Sequence, residues 1–349
     1  MRAASTSCPI PIRDYREVTL AHGDGGRLMN DLVQRMFVAA FGSDCLDRRH
    51  DGATIDVSAG RMAISTDSFV VRPLSFPGGE IGSLAVYGTA NDLAMCGARM
   101  RYLTAGFILE EGLSMNVLWE QVQAMKRAAD EVGARIVSGD TKVVEKGKGD
   151  SLFINTTGIG DVRSSRPVEP GSVRKDDAII VSGDLGRHGM AVMGVREGLE
   201  FESEIRSDNG SLVQPVMDLL DGDIELHCLR DLTRGGLASA LNEIADTAGF
   251  RLEVDEARID VRPEVRGACE VLGIDPLYVA NEGRFVLFVP PADAEAALRV
   301  LAGHPISSDA RVIGTVTGDA DHGHVIGRNA FGASRVIDML SGVLLPRIC

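Results

Sequence analysis

Asp67, Asn91, Asp92, Asp140, Lys142 and Glu282 are the residues whose types and surroundings point to chemistry. Asp67 follows the apolar run "MAIST", and Asp140 follows "RIVSG". A carboxylate at the end of a strand commonly borders a ligand crevice. Asn91 and Asp92 interrupt an otherwise apolar, small-residue stretch, "LAVYGTANDLAMCGA". Burying them unpaired would cost free energy, so a partner or a metal ion is expected there. Taken singly, each aspartate reads as a turn or cap residue. Together, with Lys142 beside Asp140, they read as a magnesium–nucleotide site, because magnesium takes a few carboxylates and completes its shell with water and phosphate oxygens. Glu282 lies in the turn "ANEGR" ahead of the apolar run "FVLFV". It is a candidate base, although a solvated turn acid is the simpler reading of the turn alone.

Two further segments could take part. "HGDGG" supplies Gly23, Asp24, Gly25 and Gly26, a loop whose N–H groups could converge on an anion. It lacks the GK[ST] that a Walker A loop requires. The chain ends in "LLPRIC", with Cys349 as its last residue. A terminal thiol is difficult to bury and accessible to reagents, so it is either incidental or a carrier. Asp231 in "DLTRGG" and Asp184 in "GDLGRHG" read as shaping the second side of a cleft, and His188 as an ordinary loop histidine.

The elements that position these residues follow from periodicity. Leu28, Leu32 and Met36 recur four apart in an early helix, and "ATIDV" and "RMAIST" read as strands. A small-residue helix is expected over about 83–97. Leu118, Val122, Met125, Ala129 and Val132 share one face of a second helix that Gly133 stops. "RIVSGDTKVV" and "SLFINTTGIGDV" read as strands flanking a hairpin at "EKGKGD". Residues 163–177, rich in proline, glycine, serine and charge, form a linker candidate. Beyond it come strand "AIIVSG", a helix after "DLTRGG", strand "GRFVLFV" and helix "ADAEAALRVLAG". Alternating strands and helices on both sides favour two α/β or α+β domains.

Composition limits the function classes. A net charge of -14 opposes nucleic acid and anionic membrane surfaces. No apolar run is long enough to span a bilayer, and the start lacks a signal peptide's apolar stretch. The six cysteines are scattered, without CxxC or zinc spacing, which suits reduced thiols and a cytoplasmic location.

"TDSFVVRP", "FPGGEIG", "GTANDLAMCGA", "GDTKVV", "DLTRGG", "NEGR" and terminal "PRIC" together resemble the HypE family of [NiFe]-hydrogenase maturation factors. That family lies within the aminoimidazole ribonucleotide synthetase-like superfamily. The resemblance covers residues 15–349 and leaves the first dozen or so, with Cys8, as an extension. It implies an α/β plus α+β fold in two domains. Residues 1–168 would form an ATP- and magnesium-binding domain that pairs into a dimeric β-barrel. Residues 169–333 would form an α+β domain, and 334–349 a mobile tail carrying the reactive cysteine.

It also implies a carbamoyl dehydratase that converts an S-carbamoyl group on Cys349 into a thiocyanate at the expense of ATP. Asp67, Asp92 and Asp140 would hold Mg2+, with Asn91 as a polar neighbour at the nucleotide. Lys142 would stabilise the carbamoyl oxygen or γ-phosphate, and Glu282 would take the nitrogen proton. The loop 23–26 would close over ATP. The implied partners are the carbamoyltransferase HypF, which loads the sulfur, and a HypC–HypD complex, which receives cyanide for the hydrogenase iron. Selenophosphate synthetase is the nearest enzyme alternative, but it needs a reactive cysteine or selenocysteine in an N-terminal glycine loop, and here Cys8 lies outside that loop. Thiamine-monophosphate kinase and a non-catalytic nucleotide-sensing scaffold complete the alternatives.

Overall fold

The computed structural model describes residues 16–19, 32–42, 61–198, 204–319 and 323–338. Cys8, Gly23, Asp24, Gly25, Gly26, Cys45, the expected strand at 53–57 and Cys349 lie outside them. Of the early helix, Val33–Val38 forms a π-helix, and Leu32 and Met36 are buried as their spacing predicts.

Strand β1 (Met62–Phe69) opens the first half. A short hairpin of β2 (Ser75–Phe76) and β3 (Gly79–Glu80) leads into helix α1 (Ile81–Met95). Then follow β4 (Ala98–Glu110), α2 (Met115–Val132), β5 (Arg135–Val144) and β6 (Leu152–Val162). The larger sheet has the order β1-β6-β4-β5. The hairpin expected between β5 and β6 does not form. Helix α2 returns the chain to run β5 parallel to β4, the usual outcome of a strand–helix–strand crossover. That leaves the other side of β4 to β6, which pairs with it antiparallel.

Helix α1 is buried on nearly every side, as a helix with apolar or small residues all round must be. Its glycines allow close approach. A Cβ at Gly82 would lie 2.1 Å from the Gln121 carbonyl of α2, and one at Gly88 would lie 2.8 Å from the Phe69 ring. Helix α2 is amphipathic and buries Leu118, Val122, Met125, Ala129 and Val132 against the core. Fully burying a side chain the size of leucine stabilises the fold by about 1.5–3 kcal/mol.

The second half contains β7 (Ala178–Val181), α3 (Arg187–Arg196), α4 (Val213–Asp221), β8 (Cys228–Asp231), α5 (Gly236–Ala248), β9 (Phe250–Asp255) and α6 (Pro263–Leu272). It continues with β10 (Phe285–Val289), α7 (Ala294–Ala302), β11 (Arg311–Asp319), β12 (His324–Arg328) and β13 (Ser334–Ile337). Its sheet has the order β13-β12-β9-β11-β7-β10-β8. β7 and β10 are buried along their whole length, which explains their unbroken apolar sequences. Ser334–Ile337, expected in the tail, is a strand paired with β12. Among the described residues, no helix is long and apolar enough to cross a membrane.

Candidate active site

β1 is an edge strand, and alternate residues on it face α1. Phe69 lies under that helix, and Asp67, two residues earlier, shares its face. Helix α1 presents Asp92 from above, where Ser65 Oγ donates to Asp92 Oδ2 at 2.6 Å. From the second sheet, β8 ends in Asp231. The carboxyls of Asp67 and Asp231 both lie close enough to Asp92 to be perturbed by it. Burial and the Asp92 charge push Asp67 well above the usual carboxylate range, against the pull of Arg234. Burial and Asp92 likewise push Asp231 upward, against Arg230.

Three acids in such contact repel unless they share protons or a cation. As they stand, no three His, Cys, Asp or Glu side chains among the described residues have metal-binding geometry. The donor set nevertheless fits magnesium: it is all-oxygen, crowded with like charge, and open to a cleft.

That cleft has a volume of about 420 Å³, within the range of small-molecule sites. Asp67, Asp92, Asp231, Arg230, Arg234 and Glu282 line it. Glu282 is 5% exposed. The turn beneath it is fixed from several directions. The Asn281 side chain accepts from Gly186 N at 2.7 Å and donates to the Leu232 and Val279 carbonyls. Gly283 N donates to Asp208 Oδ2 at 3.0 Å, and a Cβ at Gly283 would lie 2.0 Å from the Asp208 carbonyl. Arg284 donates to the carbonyls of Asp184, Gly283 and Ile306 and pairs with the buried Asp184 carboxylate.

The opposite wall is the start of α5. Gly236 has φ +60°, and a Cβ there would lie 2.5 Å from the Leu277 carbonyl. The glycine pair of "DLTRGG" therefore lets the helix start press against the segment leading to Glu282.

The remaining expected site residues lie elsewhere. Pairing runs in one row from Asp67 through Thr156 and Ala105 to Gly139. Asp140 is one residue further, so it points to the other face of the sheet. Three inter-strand spacings, about 14 Å, also separate it from Asp67. Lys142 shares that exposed face and pairs with Asp140 at 3.5 Å. Within one chain, then, Asp140 does not join Asp67 and Asp92, and Asp231 takes the third place.

Asn91 also departs from expectation. Its Oδ1 accepts from Leu212 N at 2.8 Å, while Nδ2 donates to Gly210 O and Glu282 O. The amide is occupied in bracing α1 against the second half and does not line the cleft. His188 is buried, with Nδ1 2.8 Å from Ser207 Oγ and its ring edge-on to Phe76. Burial pushes it down to about 4, so it stays neutral. Cys96 is exposed at the cleft wall.

Comparison with known proteins places this geometry. The AIR synthase related protein, N-terminal domain, matches residues 49–162, and the corresponding C-terminal domain matches residues 174–327. The chain is 50% identical over 342 residues to the carbamoyl dehydratase HypE of Cupriavidus necator, covering 98% of this chain and 97% of that one. A crystal structure of the hydrogenase maturation protein HypE in complex with ATP superposes with a TM-score of 0.91 at 45% identity, covering 95% and 99% of the two chains. A HypE–HypF complex contains a chain that matches with a TM-score of 0.78 at 41% identity, covering 88% and 99%.

Proposed function

The chain belongs to the HypE family of AIR synthase related proteins, and from that premise we propose that it is an ATP-dependent carbamoyl dehydratase. Its substrate is a carbamoyl group on the sulfur of its own Cys349. The reading rests on Asp67, Asp92, Asp231, Arg234 and Glu282 meeting in one cleft between the two sheets.

Hydroxide is a poor leaving group, so dehydration at neutral pH needs activation. A bond forms between the carbamoyl oxygen and the γ-phosphorus of ATP as the bond to ADP breaks. The C–O bond then breaks, phosphate departs, and nitrogen loses two protons as C≡N forms. Thiocarbamate and ATP thus become thiocyanate, ADP and phosphate, with the carbamoyl oxygen leaving in the phosphate.

Glu282, held at the cleft floor, receives a nitrogen proton. The N-terminus of α5 and the Arg234 guanidinium meet triphosphate charge. Asp67, Asp92 and Asp231 would hold magnesium, which would supply positive charge against the phosphates. Asn91 keeps α1 and the Glu282 turn in register, so acids and base stay aligned. The loop at Gly23, Asp24, Gly25 and Gly26 covers the nucleotide and excludes water.

Asp140 and Lys142 enter through a second copy of the chain. Their sheet face exposes Met62, Ile64 and Ile108, and Ile64 and Ser68 of that face also line the cleft. A homodimer stacked there buries the apolar residues and brings Lys142 of one copy to the cleft of the other. HypF loads Cys349, and a HypC–HypD complex accepts cyanide for the hydrogenase iron. All of this takes place in the cytoplasm, where the thiol stays reduced.

Intact-mass spectrometry tests the reading. With the transferase, carbamoyl phosphate and magnesium–ATP, Cys349 should gain a carbamoyl group that then loses one water. Labelled carbamoyl oxygen should appear in phosphate. An adduct on another residue, or one that persists with ATP, would overturn it.

A further inference from the structure

The last described residues are tied to the cleft walls. The Asn242 side chain, on α5, donates to the Ile337 carbonyl at 2.9 Å. Tyr278 Oη donates to the Asp338 carbonyl at 2.8 Å. Arg335 forks onto Glu256 at 2.7 and 3.0 Å and reaches Asp275 Oδ2 at 2.9 Å. The other oxygen of Asp275 accepts from Leu277 N at 3.0 Å and so caps the turn that carries Tyr278. Ile337 itself is buried in the core of the second sheet.

These anchors belong to the two segments that build the cleft. Helix α5 begins right after Asp231 and Arg234. Tyr278 precedes Glu282 by four residues, at most about 14 Å of chain. The contact of Gly236 with the Leu277 and Val279 carbonyls locks the two segments together. Residues 339–349 remain, eleven residues that span at most about 36–40 Å when extended. Asp338, the last described residue, therefore lies closer to Glu282 of its own chain than those eleven residues can span.

We propose that Asn242, Tyr278 and Arg335 are positioning residues for dehydration, fixing where the tail departs so that Cys349 is delivered in cis to the cleft of its own chain. The proposal rests on the dehydratase reading above. None of the three touches the reacting atoms. They act by holding the arm's origin close to one cleft, which sets the local concentration of the loaded sulfur there.

Two experiments test it, both reading loss of water from pre-carbamoylated full-length protein in a single turnover. In the first, Tyr278→Phe, which keeps the ring and removes only the hydroxyl, should slow dehydration about threefold. Tyr278→Phe with Asn242→Ala should slow it about tenfold. Loading of Cys349 by the transferase and ATP affinity should be unchanged, a split that general destabilisation would not produce. In the second, Cys349→Ala protein is mixed with Glu282→Gln protein. Cis delivery leaves the loaded thiol facing only the disabled cleft, so no water is lost. Wild-type rates in the variants, or recovery in the mixture, would overturn the proposal alone. A wild-type adduct that never loses water would sink the dehydratase reading and this proposal with it.

Discussion

On the covered face of the first sheet, Asp67 lies beneath α1 and beside Asp92. On the other face, Asp140 and Lys142 face outward as an exposed pair. In sequence the two places look alike, each an acid after an apolar strand. They differ by one step of strand parity, and that step decides which neighbours the carboxylate meets. The covered face supplies acids crowded enough to hold a proton or a cation. The exposed face supplies charges available to another molecule. One chain therefore holds part of the expected constellation in a cleft and offers the rest outward.

The largest expected effect lies on the cleft side. Glu282→Gln should lower single-turnover dehydration by at least about 100-fold with ATP binding retained, as loss of a general base does. Turnover within tenfold of wild type, measured by intact mass, would remove Glu282 from the chemistry. Next comes the exposed face. Lys142→Ala should lose about 10–100-fold alone. Mixed and re-paired with Glu282→Gln protein it should recover activity, because in the proposed dimer each Lys142 serves the other chain's cleft. If that mixture stays inactive while each parent still pairs, the division between faces fails.

Stability separates the two regions further. His188, buried at the start of α3 against Ser207 and Phe76, is held neutral with its value lowered to about 4. Between that value and the unfolded value near 6.5 the unfolded chain binds a proton that the native chain does not, so stability falls as pH drops through this window. The loss attributable to His188 should be about 3 kcal/mol. Denaturant titrations of wild type and His188→Gln at pH 7 and pH 4 read it; equal pH slopes for the two proteins would refute it. Asn91→Ala should cost about 1–3 kcal/mol, because the buried Leu212 N–H loses its acceptor. An unchanged urea midpoint would mean that the brace carries no load. The smallest effect belongs to Ile64→Ser on the exposed face, within about 0.5 kcal/mol for the monomer. In the same variant, sedimentation should report weakened pairing between copies, and undiminished pairing would count against a sheet-face dimer.

Much of this was legible in the sequence, for particular reasons. Helix α2 was legible because its apolar residues keep helical spacing over eighteen residues. Asp67 and Asp92 stood out because they violate apolar surroundings. β4 was not foreseen: a register shift between Met100 and Tyr102 breaks its alternation and disguises "ARMRYLTAGFILE". Asp231 was placed only loosely, since a four-residue strand gives too little pattern to show which way its last side chain turns. Within one chain Asp140 lies apart from Asp67 and Asp92, which the sequence does not reveal because chain spacing alone does not record strand order. Asn91 was read for its polarity, and only the fold reveals the backbone groups that use it up.

The three hydrogen bonds of the Asn91 amide have a mechanical consequence. They stitch a helix of the first sheet to two separate stretches of the second. Spreading the halves like a book would tear all three at once. Parting them therefore costs about 1 kcal/mol for each bond exchanged for water, and more for any of these groups left buried without a partner, so the two halves hold their spacing across the cleft as one body.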